Sequence, residues 1–251
     1  MTVLALVRPP APSFVHALSH HSKKKSIDFD RALDQHRGYV EALETTGTTV
    51  TCLPPLDEFP DSTFIEDNAV IMADRALLTF MKEASRHGET LHIRKPLEKF
   101  LPVETLKAPV LIDGGDILQT ESTVFVGQSQ RTNRQAAEAL SQFTRKKIVT
   151  VPVHRGPHLK TFASYLGKNV LVIDPTSVEP DAFATFERIE VLEEERYAAN
   201  CLAVGNHVLM PEGFPDLADR IAQHGFEVVP LAMSEFEKAD GGVTCLSLIF
   251  S

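Results

Sequence analysis

Cys201-Leu202-Ala203-Val204, Gly205-Asn206, His207-Val208-Leu209-Met210, the stretch from Phe214 to His224, and Glu227-Val228-Val229 read in order as strand, turn, strand, helix and strand. Gly-Asn between two apolar runs marks a hairpin, because both residue types tolerate the backbone that a tight turn needs. The same order recurs upstream. Phe162-Ala163-Ser164-Tyr165-Leu166, a turn at Gly167-Lys168, Val170-Leu171-Val172-Ile173, a helix from about Pro180 to Phe186 and Ile189-Glu190-Val191 form one further unit. Asp116-Ile117-Leu118, a turn at Glu121-Ser122, Thr123-Val124-Phe125-Val126, a helix from about Asn133 to Phe143 and the strand Lys147 to Val151 form another. Val70-Ile71-Met72, a turn at Ala73-Asp74-Arg75, Ala76 to Phe80, a helix from Glu89 to Leu101 and a strand at Pro109-Val110-Leu111-Ile112 form a fourth.

The remaining pieces lie at the two ends. Val3 to Val7, a helix from about Asp30 to Thr45 capped near Asp28, and Thr48 to Leu53 stand at the start. The strand at 243–250 stands at the end and would close this first unit across the termini. Five strand-strand-helix-strand units with pseudo-fivefold symmetry predict an α/β fold of the propeller type, a single domain over residues 1–251 with strand ends around a central channel. The alternative is an ordinary open α/β sheet with no closure.

Gly241-Gly242-Val243-Thr244-Cys245 places a cysteine on an apolar strand just after a Gly-Gly break. Gly156-Pro157-His158 and Asp113-Gly114-Gly115-Asp116 supply a histidine and a carboxylate beside turn-forming residues in two other units. A thiolate attacks, an imidazole stabilises it and moves protons, and a carboxylate orients the imidazole or the substrate. Singly, each has a plainer reading: a buried small hydrophobe, a structural histidine, a turn aspartate. A channel shared by the units would bring Cys245, His158 and Asp113 together.

The bulk composition narrows the partners. The 251 residues carry 25 Lys and Arg against 34 Asp and Glu, a net charge of −9. That balance argues against nucleic acid and anionic membrane surfaces. Three cysteines, Cys52, Cys201 and Cys245, suggest no disulfide framework and a reducing compartment. No cysteine or histidine spacing indicates a zinc site, so no metal is expected. The opening Met1-Thr2-Val3-Leu4-Ala5-Leu6-Val7-Arg8-Pro9-Pro10 is too briefly apolar for a signal peptide. No run approaches the ~20 apolar residues of a membrane span. The expected location is cytoplasmic.

Seven short motifs then occur in a specific order: Asp61-Ser62-Thr63-Phe64-Ile65-Glu66-Asp67, Glu83-Ala84-Ser85-Arg86-His87-Gly88-Glu89, Asp113-Gly114-Gly115-Asp116, Gln130-Arg131-Thr132-Asn133, His158-Leu159-Lys160-Thr161, Ala199-Asn200-Cys201 and Gly241-Gly242-Val243-Thr244-Cys245. In these the chain resembles the dimethylarginine dimethylaminohydrolases of the guanidine-modifying, or pentein, superfamily. The likeness runs from about residue 59 to 251 and more weakly through 1–58. It implies a five-bladed α/β propeller and hydrolysis of Nω-methylated arginine to citrulline and a methylamine. It also implies a small-molecule substrate and no cofactor, and it leaves a homodimer open.

By position, the resemblance makes Cys245 the nucleophile and His158 the general acid and base. Asp113 would bind the guanidinium and complete the catalytic set. Glu66 and Asp67, helped by Asp61, would hold guanidinium or α-amino nitrogens, with Phe64 lining the substrate site. Arg86 and Arg131 would clamp the α-carboxylate, as bidentate guanidinium groups suit carboxylates better than lysine does. Pro157 departs from the larger apolar residue usual before the histidine and pushes Gly156 out of the right-handed α region. Two further readings stand beside this one: an arginine deiminase-like hydrolase that releases ammonia, and a non-catalytic binder of arginine-like ligands.

Overall fold

The computed structural model describes residues 2–72 and 74–251. It begins with β1 (Leu4–Val7), α1 (Phe29–Thr45) and β2 (Thr49–Cys52). Asp28 caps α1 by accepting the Arg31 N–H, which satisfies one of the orphan donors of the first turn. β3 (Ala69–Met72), β4 (Arg75–Leu78), α2 (Leu91–Glu98) and β5 (Val103–Thr105) make the next unit. β6 (Ile117–Gln119), β7 (Thr123–Gln128), α3 (Gln135–Ser141) and β8 (Lys147–Pro152) follow. β9 (Ala163–Gly167), β10 (Val170–Ile173) and β11 (Glu187–Glu190) are next, then β12 (Leu202–Val204), β13 (His207–Pro211), α4 (Pro215–Gln223) and β14 (Glu227–Leu231). The chain ends with α5 (Ser234–Glu237) and β15 (Ser247–Phe250).

These strands make five separate three-stranded sheets, each with the same plan. The middle strand pairs antiparallel with the inner strand and parallel with the outer one, as in β12-β13-β14 and β6-β7-β8. The N-terminal unit obeys the plan only by borrowing the C-terminal strand. β15 runs antiparallel to β1, with Leu4 opposite Phe250, and β2 runs parallel to β1. The pseudo-fivefold α/β arrangement read from the sequence is therefore present, and the termini are joined in one sheet.

Several boundaries differ from the sequence reading. The strand of the second unit is Val103–Thr105, not Pro109–Ile112. α2 ends at Glu98, and the Ala76 N–H already pairs with the Pro102 carbonyl, so the first chain to reach β4 occupies its edge. Pro109–Ile112 instead forms the link to the next unit, where the Ile112 N–H binds the Phe80 carbonyl. The helix expected over Pro180–Phe186 is only a 3-10 turn, Pro180–Phe183. The closing strand starts at Ser247, because Thr244–Leu246 forms a 3-10 turn that carries Cys245. Of the turn expected at Ala73-Asp74-Arg75, Ala73 lies outside the described residues.

A 3-10 turn precedes the inner strand of every unit, at Ile65–Asn68, Gly114–Asp116, Leu159–Thr161, Glu193–Ala199 and Thr244–Leu246. Hydrogen bonds link these five segments and their flanking residues into a ring. Thr244 Oγ donates to Glu66, Gly115 N–H to Asp67, and Leu159 N–H to Asp116. Asn200 Nδ2 donates to the Lys160 carbonyl, and Thr244 N–H returns to Asn200 Oδ1. Below the ring the inner strands β3, β6, β9, β12 and β15 surround a cavity of about 260 Å3. Glu66, Gly114, Lys160 and Thr244 form its roof, while Cys245, His158 and Asp113 do not line it. Among the described residues no helix is long and apolar enough to cross a membrane.

Candidate active site

The ring of turns is what gathers the side chains picked out in the sequence. Asp113 and His158 immediately precede two of the turns, Glu66 and Asp67 lie within a third, and Cys245 lies within a fourth. Two glycines make the last turn feasible. A Cβ on Gly241 would sit 2.2 Å from Cε1 of Phe64, and one on Gly242 would sit 2.5 Å from Asn200 Oδ1. The partly buried Cys245 sulfur faces the Gly242 N–H at 3.4 Å. Gly156, next to Pro157, takes φ +62°, a backbone outside the right-handed α region as expected.

His158 is the centre of charge. Its Nε2 lies 3.0 Å from Asp113 Oδ2 and 3.8 Å from Asp67 Oδ1. Burial alone would depress the imidazole, but the charge on Asp67, the Asp113 hydrogen bond and the charge on Asp116 raise it to about 9. The ring is therefore an imidazolium at neutral pH. Burial pushes Asp67 upward, yet His158 and Arg86 hold its carboxyl well below the usual carboxylate range. Asp113 is fully buried, and among the described residues its Oδ1 has no hydrogen-bond partner. An unpaired buried carboxylate oxygen is costly and marks the place where a donor should sit.

Cys245 has the opposite balance. Burial pushes its thiol up to about 12, the charges on Glu66 and Asp67 add to the shift, and the Gly242 N–H and Lys160 only partly oppose it. The resting sulfur is a thiol beside carboxylates.

The two arginines differ in a way the sequence does not show. Arg86 is 3 % exposed, and its Nε and Nη2 donate to both oxygens of Glu89. Nη1 donates to Asp67 Oδ2 at 2.7 Å, and Nη2 also donates to the Phe64 carbonyl. Of the five N–H groups of a guanidinium, one on Nη1 is left. Two buried carboxylates already offset its charge, so Arg86 chiefly anchors Asp67, and a free carboxylate clamp is not its main employment. Arg131 is less committed. Its Nη1 lies 3.7 Å from Asp113 Oδ2 and its Nε 3.5 Å from Glu83.

Glu66 is engaged as well. It accepts Lys160 Nζ at 2.5 Å and Thr244 Oγ at 2.9 Å. Burial raises its carboxyl and Lys160 opposes that. Asp61 accepts the Leu18 N–H, and burial lifts it to about 6 against the pull of Arg86. Phe64 is buried against Phe14 and Phe236 and forms the wall under Gly241. Lys160, Asn200, Thr244 and Asp116 all lie in motifs visible in the sequence, but only the fold shows that they tie the turns together. Asp67, Asp113 and His158 place ligand atoms within 4.8 Å of one another, a set that could hold a cation. The unpaired Asp113 oxygen, beside an Asp67 carboxylate fixed by Arg86, suits a planar organic cation that donates directed hydrogen bonds.

Comparison with known proteins identifies the family. The family model for arginine deiminase matches residues 10–204. The chain is 38% identical over 250 residues to N(G),N(G)-dimethylarginine dimethylaminohydrolase of Pseudomonas aeruginosa, covering 98% of both chains. It is 34% identical to the protein of the same name from Streptomyces coelicolor, covering 97% of this chain and 95% of that one. A solved structure of the Pseudomonas aeruginosa enzyme, a cysteine-to-serine mutant complexed with citrulline, superposes with a TM-score of 0.94 at 37% identity over the whole of both chains. The protein belongs to the arginine deiminase family and, within it, to the dimethylarginine dimethylaminohydrolases.

Proposed function

We propose that this protein hydrolyses Nω-methylated L-arginines to L-citrulline and methylamine or dimethylamine through a covalent intermediate on Cys245. The observation that carries the reading is the fully buried Asp113 Oδ1, unpartnered among the described residues, beside a cationic His158. That oxygen can accept a guanidinium N–H, and Asp67 offers a second carboxylate on the same side. The citrulline complex of the relative at 37% identity supports the same ligand class.

The reaction follows from these charges. The bound guanidinium brings positive charge to a thiol that Glu66 and Asp67 hold neutral, so binding favours the thiolate. The thiol proton is lost to solvent, because the imidazolium is already protonated, and the thiolate attacks the guanidinium carbon to form the C–S bond. The His158 proton passes to the alkylated nitrogen, the C–N bond breaks, and the amine leaves. A thiouronium remains on Cys245. Water gives one proton to the now neutral imidazole and its hydroxide attacks the same carbon; the C–S bond breaks, the hydroxyl proton returns to the Cys245 sulfur, and citrulline departs. Asp113 keeps the imidazole oriented, and Asp67 is held in place by Arg86. Arg131 supplies the main contact to the α-carboxylate, helped by the remaining Arg86 N–H. Asp61 is available to the α-amino group.

Residues 1–251 act here as one catalytic domain, since four of the five units place a proposed site residue on the ring. The cytoplasmic placement is part of the proposal and rests on the need for a reduced thiol. Citrulline release from asymmetric dimethylarginine, monomethylarginine and arginine, measured in parallel, tests the reading. Turnover of the methylated substrates is expected. Ammonia release from arginine alone would assign the deiminase reaction instead, and tight binding with no citrulline from any of the three would leave only a ligand-binding role.

A further inference from the structure

We propose that Asp116 is the positioning residue that holds the His158 ring and the Arg131 side chain in register with Asp113. The inference rests on the reaction proposed above. Asp116 ends the turn that begins after Asp113 and is fully buried. Its Oδ1 accepts the N–H of Leu159, the residue after His158, at 2.9 Å. Its Oδ2 accepts the hydroxyl of Ser129 at 2.6 Å. That hydroxyl oxygen in turn accepts the Arg131 N–H at 2.9 Å and the Thr132 N–H at 3.3 Å. Thr132 Oγ1 accepts the Asp113 N–H at 3.2 Å, which closes the circuit on the histidine's own partner. One carboxylate thus ties the proton carrier and the carboxylate clamp to the turn that bears Asp113.

A second observation points the same way. Gly127 lies within β7, where glycine weakens a strand and commonly marks a close approach. A Cβ there would sit 2.4 Å from Asp116 Oδ1 and 2.8 Å from Leu159 Cβ. The strand is therefore cut back at the point where Asp116 meets the His158 segment. Burial pushes the Asp116 carboxyl up to about 6, against the opposing pull of His158 and its hydrogen-bond donors. It carries its charge at neutral pH at some cost to stability.

The groups that face His158 are Asp67 from the Ile65–Asn68 turn, and Asp113 and Asp116 from or beside the Gly114–Asp116 turn. Arg131 approaches through Asp113, and Arg86 through Asp67. Removing the Asp116 charge takes away one of three anions that keep the imidazole protonated.

The test uses Asp116→Asn and Ser129→Ala in the full chain. Asparagine keeps the size but turns one acceptor into a donor, which must oppose either the Leu159 N–H or the Ser129 hydroxyl. Asp116→Asn is expected to lower kcat for methylarginine by about 10-fold or more and to raise KM. The His158 titration, followed by NMR and assigned against His158→Gly, is expected to move to lower pH. Ser129→Ala frees the Arg131 and Thr132 N–H groups but keeps the Asp116 charge and its bond to Leu159, so KM should rise about 2- to 10-fold while the His158 titration moves less than in Asp116→Asn. That rise should vanish with a substrate lacking the α-carboxylate. A folded Asp116→Asn with wild-type kcat and an unmoved His158 titration would overturn the proposal. So would Ser129→Ala with wild-type KM, which decides the matter if Asp116→Asn does not fold. The titration needs no turnover, so it stands apart from whether methylarginine is the substrate.

Discussion

Alkylation of the resting enzyme by iodoacetamide should follow a profile that keeps rising beyond pH 9. Cys245 is held near 12 by burial and by the carboxylates Glu66 and Asp67. An acid raised this far gains its thiolate only as pH increases, so at pH 7.5 roughly one sulfur in 30,000 is ionised, against about one in ten for a free cysteine near 8.5. A guanidinium about 4 Å from the sulfur would favour the thiolate by about 4 kcal/mol at an effective dielectric near 20. That is about three units of pKa. A small unreactive amidinium that leaves the sulfur accessible should therefore bring the apparent value to about 9. The assay is best run in a Cys52→Ser background, because Cys52 is exposed and would alkylate first, while Cys201 is buried. Mass mapping of the Cys245 peptide then follows the rate with pH. A ligand-free profile already flat from pH 6 upward would instead indicate a preformed thiolate-imidazolium pair.

Arg131→Ala should lower kcat/KM for the full amino acid by about 10- to 150-fold, the loss of a hydrogen bond to a charged partner, and barely affect an agmatine-like substrate. Equal loss with both substrates would remove Arg131 from the carboxylate. Lys160→Met should cost about 3–5 kcal/mol of stability in denaturant unfolding, because Glu66 is left buried and uncompensated. Adding Glu66→Gln should recover most of that, and an unrecovered double variant would contradict the ion-pair account. Gly241→Ala should cost about 1–3 kcal/mol by overpacking Phe64, which Phe14 and Phe236 hold from the other side. Unfolding midpoints indistinguishable from wild type would show that the ring can move aside.

The repeat was legible because turn chemistry punctuates it. Gly205-Asn206 and Gly167-Lys168 sit between apolar runs that became β12-β13 and β9-β10. Strands with weak patterns were not legible. Val103-Glu104-Thr105 is short and largely exposed, so the more apolar Pro109–Ile112 outcompetes it on composition although, among the described residues, it pairs with no strand. Cys245 reads as a strand residue because Val243 to Phe250 is almost continuously apolar; the 3-10 turn comes from ring contacts with Glu66 and Asn200 that lie far away in sequence. The same distance hides the roles of charged groups. Arg86 looks like an available arginine until Asp67 and Glu89 close around it. Asp116 and Lys160 stand in recognisable motifs, but their partners Leu159 and Glu66 come from other turns of the ring, and Ser129 from the end of β7.

Cys245 is the residue proposed to carry the substrate carbon during turnover. Acid quenching during steady-state turnover of monomethylarginine, followed by mass mapping, tests that role directly. A thiouronium is expected on the peptide containing Cys245, equal in mass to substrate less methylamine, with neither adduct nor citrulline from Cys245→Ser. Full citrulline production by the serine variant, or an adduct on another residue, would contradict that role.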